Sequence, residues 1–483
     1  MKKSVTYMLV MLALGLAFTE MNKIEAKKPA PAAVPAKTKS LSDSGSIEAM
    51  YKNFCGGCHG EKMDAFVDRK WKYGNTREDL FKGIKHGYED GGMPAYDSAF
   101  NDKEIYGLAD YILEGIKNRE RYDFEGETKR VNLFVSEQQT VKLDTVFRGV
   151  ESCWSLAFLP GNEMLVTEKA GRLFRIRKDG TKQVVKGIPE VLPDGQGGLM
   201  DVILHPDFKK NKLIYISYSA IKKEGKTTLA TTAILKAKLQ NDELLEQQVI
   251  FEALPYTRAR HHYGCRMAFG KDGLLYFSVG ERGNEKENPQ TTSNHLGKIH
   301  RLKDDGSIPA GNPFLNIAGA KTSIYSFGHR NPQGLAFYPA TGQLWEHEHG
   351  PRGGDEINIV EPGKNYGWPA ISYGINYNGK IMTDKTALPG MEQPLHYWIP
   401  SIAPSGMAFV EGNRYKAWKG DLLVGSLRFK YLNRCKIKDG KVVGEELLLK
   451  NIGRLRDVRM GPDGYIYVAV ENPGFIFRLV PVK

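Results

Sequence analysis

Two rhythms of apolar residues divide the chain. In residues 41–120 they follow helical spacing. Ile47, Met50, Tyr51 and Phe54 fall at i, i+3, i+4 and i+7, the apolar face of a helix that runs into Cys55. A second helix is predicted after Asn101-Asp102, either of which can cap it, with Ile105, Leu108, Ala109, Ile112, Leu113 and Ile116 turned inward. From Cys153 onward the rhythm becomes an apolar pair, a Pro/Asp/Gly turn and an aromatic-rich strand. Copies begin at Leu156-Ala157-Phe158, Leu199-Met200-Asp201, Met267-Ala268-Phe269, Leu335-Ala336-Phe337, Met407-Ala408-Phe409 and Val458-Arg459-Met460. Six irregularly padded repeats, each of about four strands, predict a six-bladed β-propeller. A β-sandwich of recurring hairpins is the plainer alternative. Residues 131–150 supply a further strand, expected to close the ring beside the last blade. The expected fold class is therefore an all-β six-bladed propeller over 131–483, preceded by a small all-α domain over 41–120. Loops from every blade converge on the channel, so functional residues should be scattered along the sequence.

At 483 residues the chain exceeds what one hydrophobic core organises, in keeping with two domains. Its 52 glycines, 23 tyrosines and 21 phenylalanines suit many turns between aromatic-rich strands. The net charge of +12 is spread thinly, with no compact Lys/Arg block interleaved with aromatics, so nucleic acid is not an expected partner. Lys2 and Lys3 precede an apolar run from Tyr7 to Phe18, and Ile24-Glu25-Ala26 offers a small-residue cleavage site. Residues 1–26 read as a signal peptide, with the run too short for a comfortable membrane span. No cysteine lies near that site to take a lipid anchor. Residues 27–40, rich in Pro, Ala and Lys, read as a flexible tether, and the charged 121–130 as an interdomain linker. The mature protein is expected to be periplasmic or secreted and not membrane-spanning.

The cysteines divide by spacing. Cys55-Gly56-Gly57-Cys58-His59 has the form of a c-type haem attachment site. Two thiols three positions apart reach the two vinyl groups of one porphyrin, and the adjacent His59 then lies under the iron. A zinc or redox CxxC is the competing reading. The sixth ligand should come from a later loop, where Gly91-Gly92-Met93-Pro94 fits best: the glycines allow close approach to the ring and Pro94 stiffens the exit. Met93 as ligand would raise the haem potential, which suits an electron acceptor. His86 and Met63 compete for that position, and core packing is the ordinary use of a methionine. Cys153, Cys265 and Cys435 are odd in number, and no disulfide is assigned among them.

Seven further motifs stand in order along the large domain. They are Asp194-Gly195-Gln196-Gly197-Gly198-Leu199, His262-Tyr263-Gly264-Cys265-Arg266, Gly328-His329-Arg330-Asn331-Pro332-Gln333-Gly334, His349-Gly350-Pro351-Arg352-Gly353-Gly354-Asp355-Glu356-Ile357-Asn358, Asn365-Tyr366-Gly367-Trp368-Pro369, Pro400-Ser401-Ile402-Ala403-Pro404-Ser405-Gly406 and Arg454-Leu455-Arg456-Asp457. Together they make residues from about 130 to 483 resemble the soluble quinoprotein sugar dehydrogenases, the glucose/sorbosone dehydrogenase family. The resemblance implies pyrroloquinoline quinone (PQQ) and Ca²⁺ on a six-bladed propeller, with an aldose as substrate.

The chemistry agrees with that resemblance. PQQ carries three carboxylates and an ortho-quinone, so its site must concentrate positive charge and hydrogen-bond donors. Arg330, Arg454 and Arg456 supply guanidinium forks, and Arg-x-Arg alternation puts both side chains on one face of a strand. Gln196 and Asn331 resemble the family's amide partners of the cofactor, and Ser401 holds the place of a hydroxyl donor. His262 resembles the base that takes the anomeric hydroxyl proton, although His261 beside it could exchange the assignment; spacing to Arg266 favours His262. By resemblance the carbonyls of Gly350 and Pro351 hold the Ca²⁺ that polarises the quinone. Glu356 and Tyr366 match ligands of a second, structural calcium, with Asp355 nearby. Two residues depart from the pattern. Arg428 stands where the family usually has lysine, and His396 where the glucose enzyme has an aromatic substrate contact.

The expected whole is a cytochrome c–quinoprotein aldose dehydrogenase. It would pass electrons from PQQ to haem c in the same chain and on to a downstream acceptor, another cytochrome or a copper protein. The competing class is a haem-tethered propeller that binds carbohydrate or protein without catalysis. A homodimer is among the assemblies left open.

Overall fold

The computed structural model describes residues 46–59, 71, 73–88, 91–117, 132–283, 287–377, 381–471 and 474–482. The signal peptide, the tether, the 121–130 linker and Met63 lie outside them, and of Cys58 only the backbone is described. No helix among the described residues is long and apolar enough to cross a membrane.

The small domain is helical. Ser46 caps its first helix by accepting the Ala49 amide at 3.2 Å. The chain then passes through Ile47–Met50 and a wider π-type turn, Tyr51–Cys55, into Gly56–His59. A helix that apolar spacing did not single out, Arg77–His86, starts at a reciprocal cap of Thr76 with Asp79. The last helix, Asp102–Lys117, is capped by Asn101. The Asn101 Oδ1 accepts the Glu104 amide at 3.0 Å, and Glu104 accepts the Asn101 amide at 2.8 Å. Ile105, Leu108, Ala109 and Ile112 are buried, as predicted.

The large domain is a six-bladed propeller, one sheet to a blade. The innermost strands are Cys153–Leu159, Leu199–Leu204, Met267–Phe269, Pro332–Phe337, Pro404–Phe409 and Arg454–Met460. Each carries or adjoins one of the six repeats. Five blades have four strands. The sixth has five, because Thr140–Arg148 pairs antiparallel with the C-terminal Phe475–Val482 and joins the two ends of the domain. Aliphatic side chains such as Leu156, Leu165, Val202, Ile214 and Val468 are fully buried in the blades. Each contributes about 1.5–3 kcal/mol.

Two hairpins show why the repeat has its form. Gly270 and Gly461 each close a turn, donating to Leu274 O at 2.9 Å and Tyr465 O at 2.7 Å. Asp272 and Asp463 each accept the amide two residues on, at 3.1 Å. Gly273 and Gly464 take positive φ, 75° and 77°, which costs a glycine little. The Tyr276 and Tyr467 hydroxyls reach back to the same aspartates at 2.8 Å. The recurring Asp-Gly and the tyrosine after it are thus one hydrogen-bonded unit.

Near the axis a buried ionic lock ties four blades together. Asp201 meets Arg459 at 2.8 Å and Arg266 at 3.4 Å, while Asp457 meets Arg459 at 3.0 Å and Arg266 at 3.2 Å. The carboxylates also accept the amides of Met267 at 2.9 Å and Leu156 at 3.0 Å, and Asp201 accepts the Ser155 hydroxyl at 2.6 Å. Two charges of each sign cancel, so the arrangement holds only while all four are present.

Candidate active site and haem-binding segment

The site is assembled from loops that lead into the innermost strands. His262 precedes Met267–Phe269 and takes φ 53°, a left-handed conformation uncommon for histidine. Strain of that sort persists only when neighbours over-determine it. The Gln196 side-chain oxygen accepts the His262 amide at 2.8 Å, and the Asn331 oxygen accepts the Gly264 amide at 3.1 Å. Gln333 reaches Gly264 O at 2.9 Å and Asn331 at 3.3 Å. Three amide side chains from two separate motifs therefore fix the histidine loop.

The imidazole has a partner that sequence reasoning missed. Its Nδ1 lies 2.7 and 2.9 Å from the two carboxylate oxygens of Glu281, which is buried. A carboxylate there accepts Nδ1–H and leaves Nε2 as the proton acceptor. Burial, with the positive field of Arg330, holds the His262 pKa well below its ordinary 6.5. Burial likewise raises the Glu281 carboxyl, and Arg330 opposes that rise. His262 is therefore neutral, as a base must be.

Arg330 stands at the centre. Its Nη1 donates to His349 O at 3.0 Å and to Gly350 O at 2.7 Å, and its guanidinium lies 5.0 Å from the Trp368 ring. Its buried Nε finds no acceptor among the described residues, and neither does the buried Nδ2 of Asn331. Such donors are costly unless something meets them. The Ser401 hydroxyl donates to Pro351 O at 3.0 Å, and Arg428 donates to Ser401 O at 3.3 Å. Arg454 and Arg456 project to the same side of their strand and share one half-buried carboxylate, Glu471, at 3.2 and 2.7 Å. Burial works against that carboxylate's ionisation, yet the two guanidiniums hold its pKa at about 2. Two guanidiniums against one carboxylate leave this arginine pair with an excess of positive charge.

Asp355 serves the first carbonyl pair. It accepts the Gly350 amide at 2.8 Å and the Ala403 amide at 2.8 Å, and burial raises its pKa to about 6. Glu356 lies in a separate buried cluster. His329 Nδ1 is 3.5 Å from Glu346 and 3.8 Å from Glu348, and Asn358 bridges Glu346 at 2.8 Å and Glu356 at 3.5 Å. Burial and the neighbouring carboxylates raise the Glu356 pKa well above its ordinary value. The Tyr366 hydroxyl is engaged by the loop that carries it. It donates to Ile359 O at 2.6 Å and accepts the Glu361 amide at 2.9 Å, while the ring stacks 4.5 Å from that of His329. His396 stands on the outermost strand of its blade, 3.1 Å from Glu445.

Residues 150–478 match the family described as Glucose / Sorbosone dehydrogenase. The chain belongs to this family. The aldose sugar dehydrogenase of Escherichia coli is 40% identical over 350 residues, covering 71% of this chain and 93% of that protein. Quinoprotein glucose dehydrogenase B of Acinetobacter calcoaceticus is 30% identical over 404 residues, covering 66% and 83%. Among solved structures, the PQQ-bound aldose sugar dehydrogenase of Streptomyces coelicolor aligns with TM-score 0.60 at 28% identity, over 72% of this chain and 99% of that one. Residues 43–112 match a cytochrome c domain, described as cbb3-type cytochrome c oxidase subunit III. The glucose/sorbosone dehydrogenase propeller is thus joined to a cytochrome c domain.

In that cytochrome domain Cys55 is buried at the end of the π-type turn, and His59 closes the helix Gly56–His59. Met93 lies in a tight turn held by Tyr88, whose amide donates to Met93 O at 2.8 Å and whose carbonyl accepts the Met93 amide at 3.1 Å. His86, the competitor within the described residues, ends the helix Arg77–His86. Cys153, Cys265 and Cys435 are buried thiols far from alkaline activation, since burial pushes each pKa upward.

Proposed function

We propose that this family member is an exported, PQQ- and calcium-dependent dehydrogenase that oxidises an aldose to its lactone and passes the electrons to haem c in the same chain. The carrying observation is the His262–Glu281 pair beside Arg330 and Asn331, whose buried donors await an anionic, oxygen-rich ligand. When bound, PQQ supplies a hydride acceptor and calcium the Lewis acid that activates it.

The chain's own residues do the rest. Glu281 orients His262 so that Nε2 takes the proton of the anomeric hydroxyl. Arg330, Arg428, Arg454 and Arg456 bind the carboxylates, with Gln196, Asn331 and Ser401 as uncharged partners. The carbonyls of Gly350 and Pro351 suit a hard cation, and Asp355 shapes the loop that presents them. Glu356, within reach of the Glu346–Glu348 cluster, is the side chain suited to a second cation; Tyr366 could add only its main-chain oxygen. In the cytochrome domain Cys55 and Cys58 hold the haem covalently, with His59 and Met93 as iron ligands.

The test is a panel of aldoses added to protein reconstituted with PQQ and Ca²⁺, with lactone and the reduced-haem bands both followed. Lactone with haem reduction is expected. Quinone binding without turnover of any aldose assigns another substrate, and no quinone binding favours a carbohydrate- or protein-binding propeller.

A further inference from the structure

Among the described residues, two contacts between the domains lie next to groups assigned to the cleft. On one side Gly92, in the turn that carries Met93, lies against the ring of His261. A Cβ built on Gly92 would stand 2.8 Å from His261 Nδ1 and 2.9 Å from its Cγ. From the other direction Gly283 presses on the same ring, where a Cβ would fall 1.7 Å from Nε2. His261 is thus clamped between two glycine backbones, one from each domain. Its ring stands edge to face with that of His262 at 4.5 Å. Its buried Nδ1 finds no hydrogen-bond partner among the described residues, so the ring is held by packing and by this clamp.

The second contact is Arg352, one residue beyond Pro351. Its guanidinium lies 4.2 Å from the ring centre of Phe54, the residue that precedes Cys55. Phe54 is fixed in turn by Phe100, at 4.9 Å edge to face, and by Tyr96, whose hydroxyl donates to Phe54 O at 3.1 Å. Burial lowers the Arg352 pKa, consistent with the helical domain covering it. A cation over an aromatic face is a directional contact, stronger when desolvated. One contact therefore adjoins the base, and the other adjoins the carbonyl pair.

We propose that His261 and Arg352 form the docking surface for the cytochrome domain, and that electrons leave the cleft for the haem while this surface is occupied. Gly92 is what lets the Met93 turn seat on His261. The inference rests on the proposed dehydrogenase reading for its electrons, but the docking does not. Oxidation of one aldose to its lactone releases two electrons and two protons. The haem iron takes one electron at a time, Fe(III) to Fe(II). Two passages across the contact, with an external one-electron acceptor reoxidising the haem between them and the protons going to solvent, close one turnover. His261 and Arg352 act by positioning and do not touch the reacting atoms.

The test compares haem-loaded full-length wild type with Arg352→Gln and Gly92→Gln. Hydrogen exchange, measured without PQQ or sugar, should rise in residues 258–263 and 349–354 of both variants, while the haem spectrum of Arg352→Gln stays that of the wild type. After reconstitution, stopped-flow haem reduction by an aldose should be first order and independent of protein concentration in the wild type. It should slow about tenfold in Arg352→Gln, the loss of one desolvated cation–π contact. Turnover with a small artificial dye, which needs no docking, should be unchanged in Arg352→Gln. Unchanged exchange in both variants would overturn the docking surface. Raised exchange with unslowed haem reduction would overturn its role in electron transfer. If wild-type haem is never reduced by sugar while exchange responds as expected, the dehydrogenase reading fails and the docking surface stands.

Discussion

Replacing Glu281 with glutamine isolates one hydrogen bond in the proposed chemistry. His262 Nδ1 approaches a carboxylate that is only 2% exposed, at 2.7 and 2.9 Å. A hydrogen bond to a charged group contributes about 1.5–3 kcal/mol, against about 0.5–1.5 kcal/mol for a neutral one. The charge matters most when the imidazole becomes cationic, after it has taken the substrate proton. A differential loss of about 1.5 kcal/mol lowers kcat/KM roughly tenfold. If the new amide turns its NH₂ toward Nδ1, the proton moves to Nε2, the base is blocked, and the loss approaches about 10³–10⁴. The assay is steady-state dye reduction by PQQ- and Ca²⁺-reconstituted protein, with PQQ affinity measured separately. Glu281 holds the histidine and is not among the proposed cofactor contacts, so affinity should stay close to that of the wild type. A variant that binds PQQ normally and keeps kcat/KM within about twofold would refute the orienting role of Glu281.

Asp201→Ala leaves Arg266 and Arg459 short of a buried partner. It should lower stability by about 3–5 kcal/mol in urea unfolding; a loss below about 1 kcal/mol would mean that the lock is not shared as described. Acid should also destabilise the fold. Burial holds His261, His262, His295, His300, His347 and His349 below their ordinary 6.5, His295 at about 4 and His349 at about 3. As pH falls through 6.5 the unfolded chain binds protons that the native state refuses, so stability falls, by up to about 1.4 kcal/mol per pH unit for each histidine. His329 works the other way: burial opposes its charge, but Glu346 and Glu348 raise its pKa to about 9, and its contribution is lost as pH rises from 6.5 through 9. Thermal midpoints should therefore drop between pH 6.5 and 5, and a flat profile there would contradict the buried neutral histidines. Removing calcium with a chelator should abolish sugar-dependent dye reduction, which added Ca²⁺ restores, with the haem spectrum unaltered; activity that survives chelation would exclude the Gly350–Pro351 role.

Local chemistry explains which features could be read from the chain. Cys55-Gly56-Gly57-Cys58-His59 is legible because haem attachment dictates its spacing. The blades are legible because Gly270-Lys271-Asp272-Gly273 and Gly461-Pro462-Asp463-Gly464 each complete a turn with their own hydrogen bonds. Glu281 was hidden for the opposite reason. It stands 19 residues from His262, in a loop whose Gly280-Glu281-Arg282-Gly283 resembles any charged turn, and only the ring of blades brings the two together. The Asp201–Arg266–Asp457–Arg459 lock is likewise a product of closure, its members up to 258 residues apart. Thr76 and Asp79 did mark a helix start, but the apolar face of Arg77–His86, with only Leu80 and Ile84 as buried aliphatics, is too short to announce a helix. The use of the Tyr366 hydroxyl, bonded to Ile359 and Glu361, depends on the path of the loop and for that reason was hidden.

The central claim is that the loops around the propeller axis hold one tri-anionic quinone. Titrating PQQ with Ca²⁺ into the protein, while following the fluorescence of tryptophans that include Trp368 beside Arg330, tests it most directly. Saturable quenching at one PQQ per chain, much weakened in Arg330→Ala, is the predicted result. No saturable binding, or binding indifferent to Arg330, would contradict it.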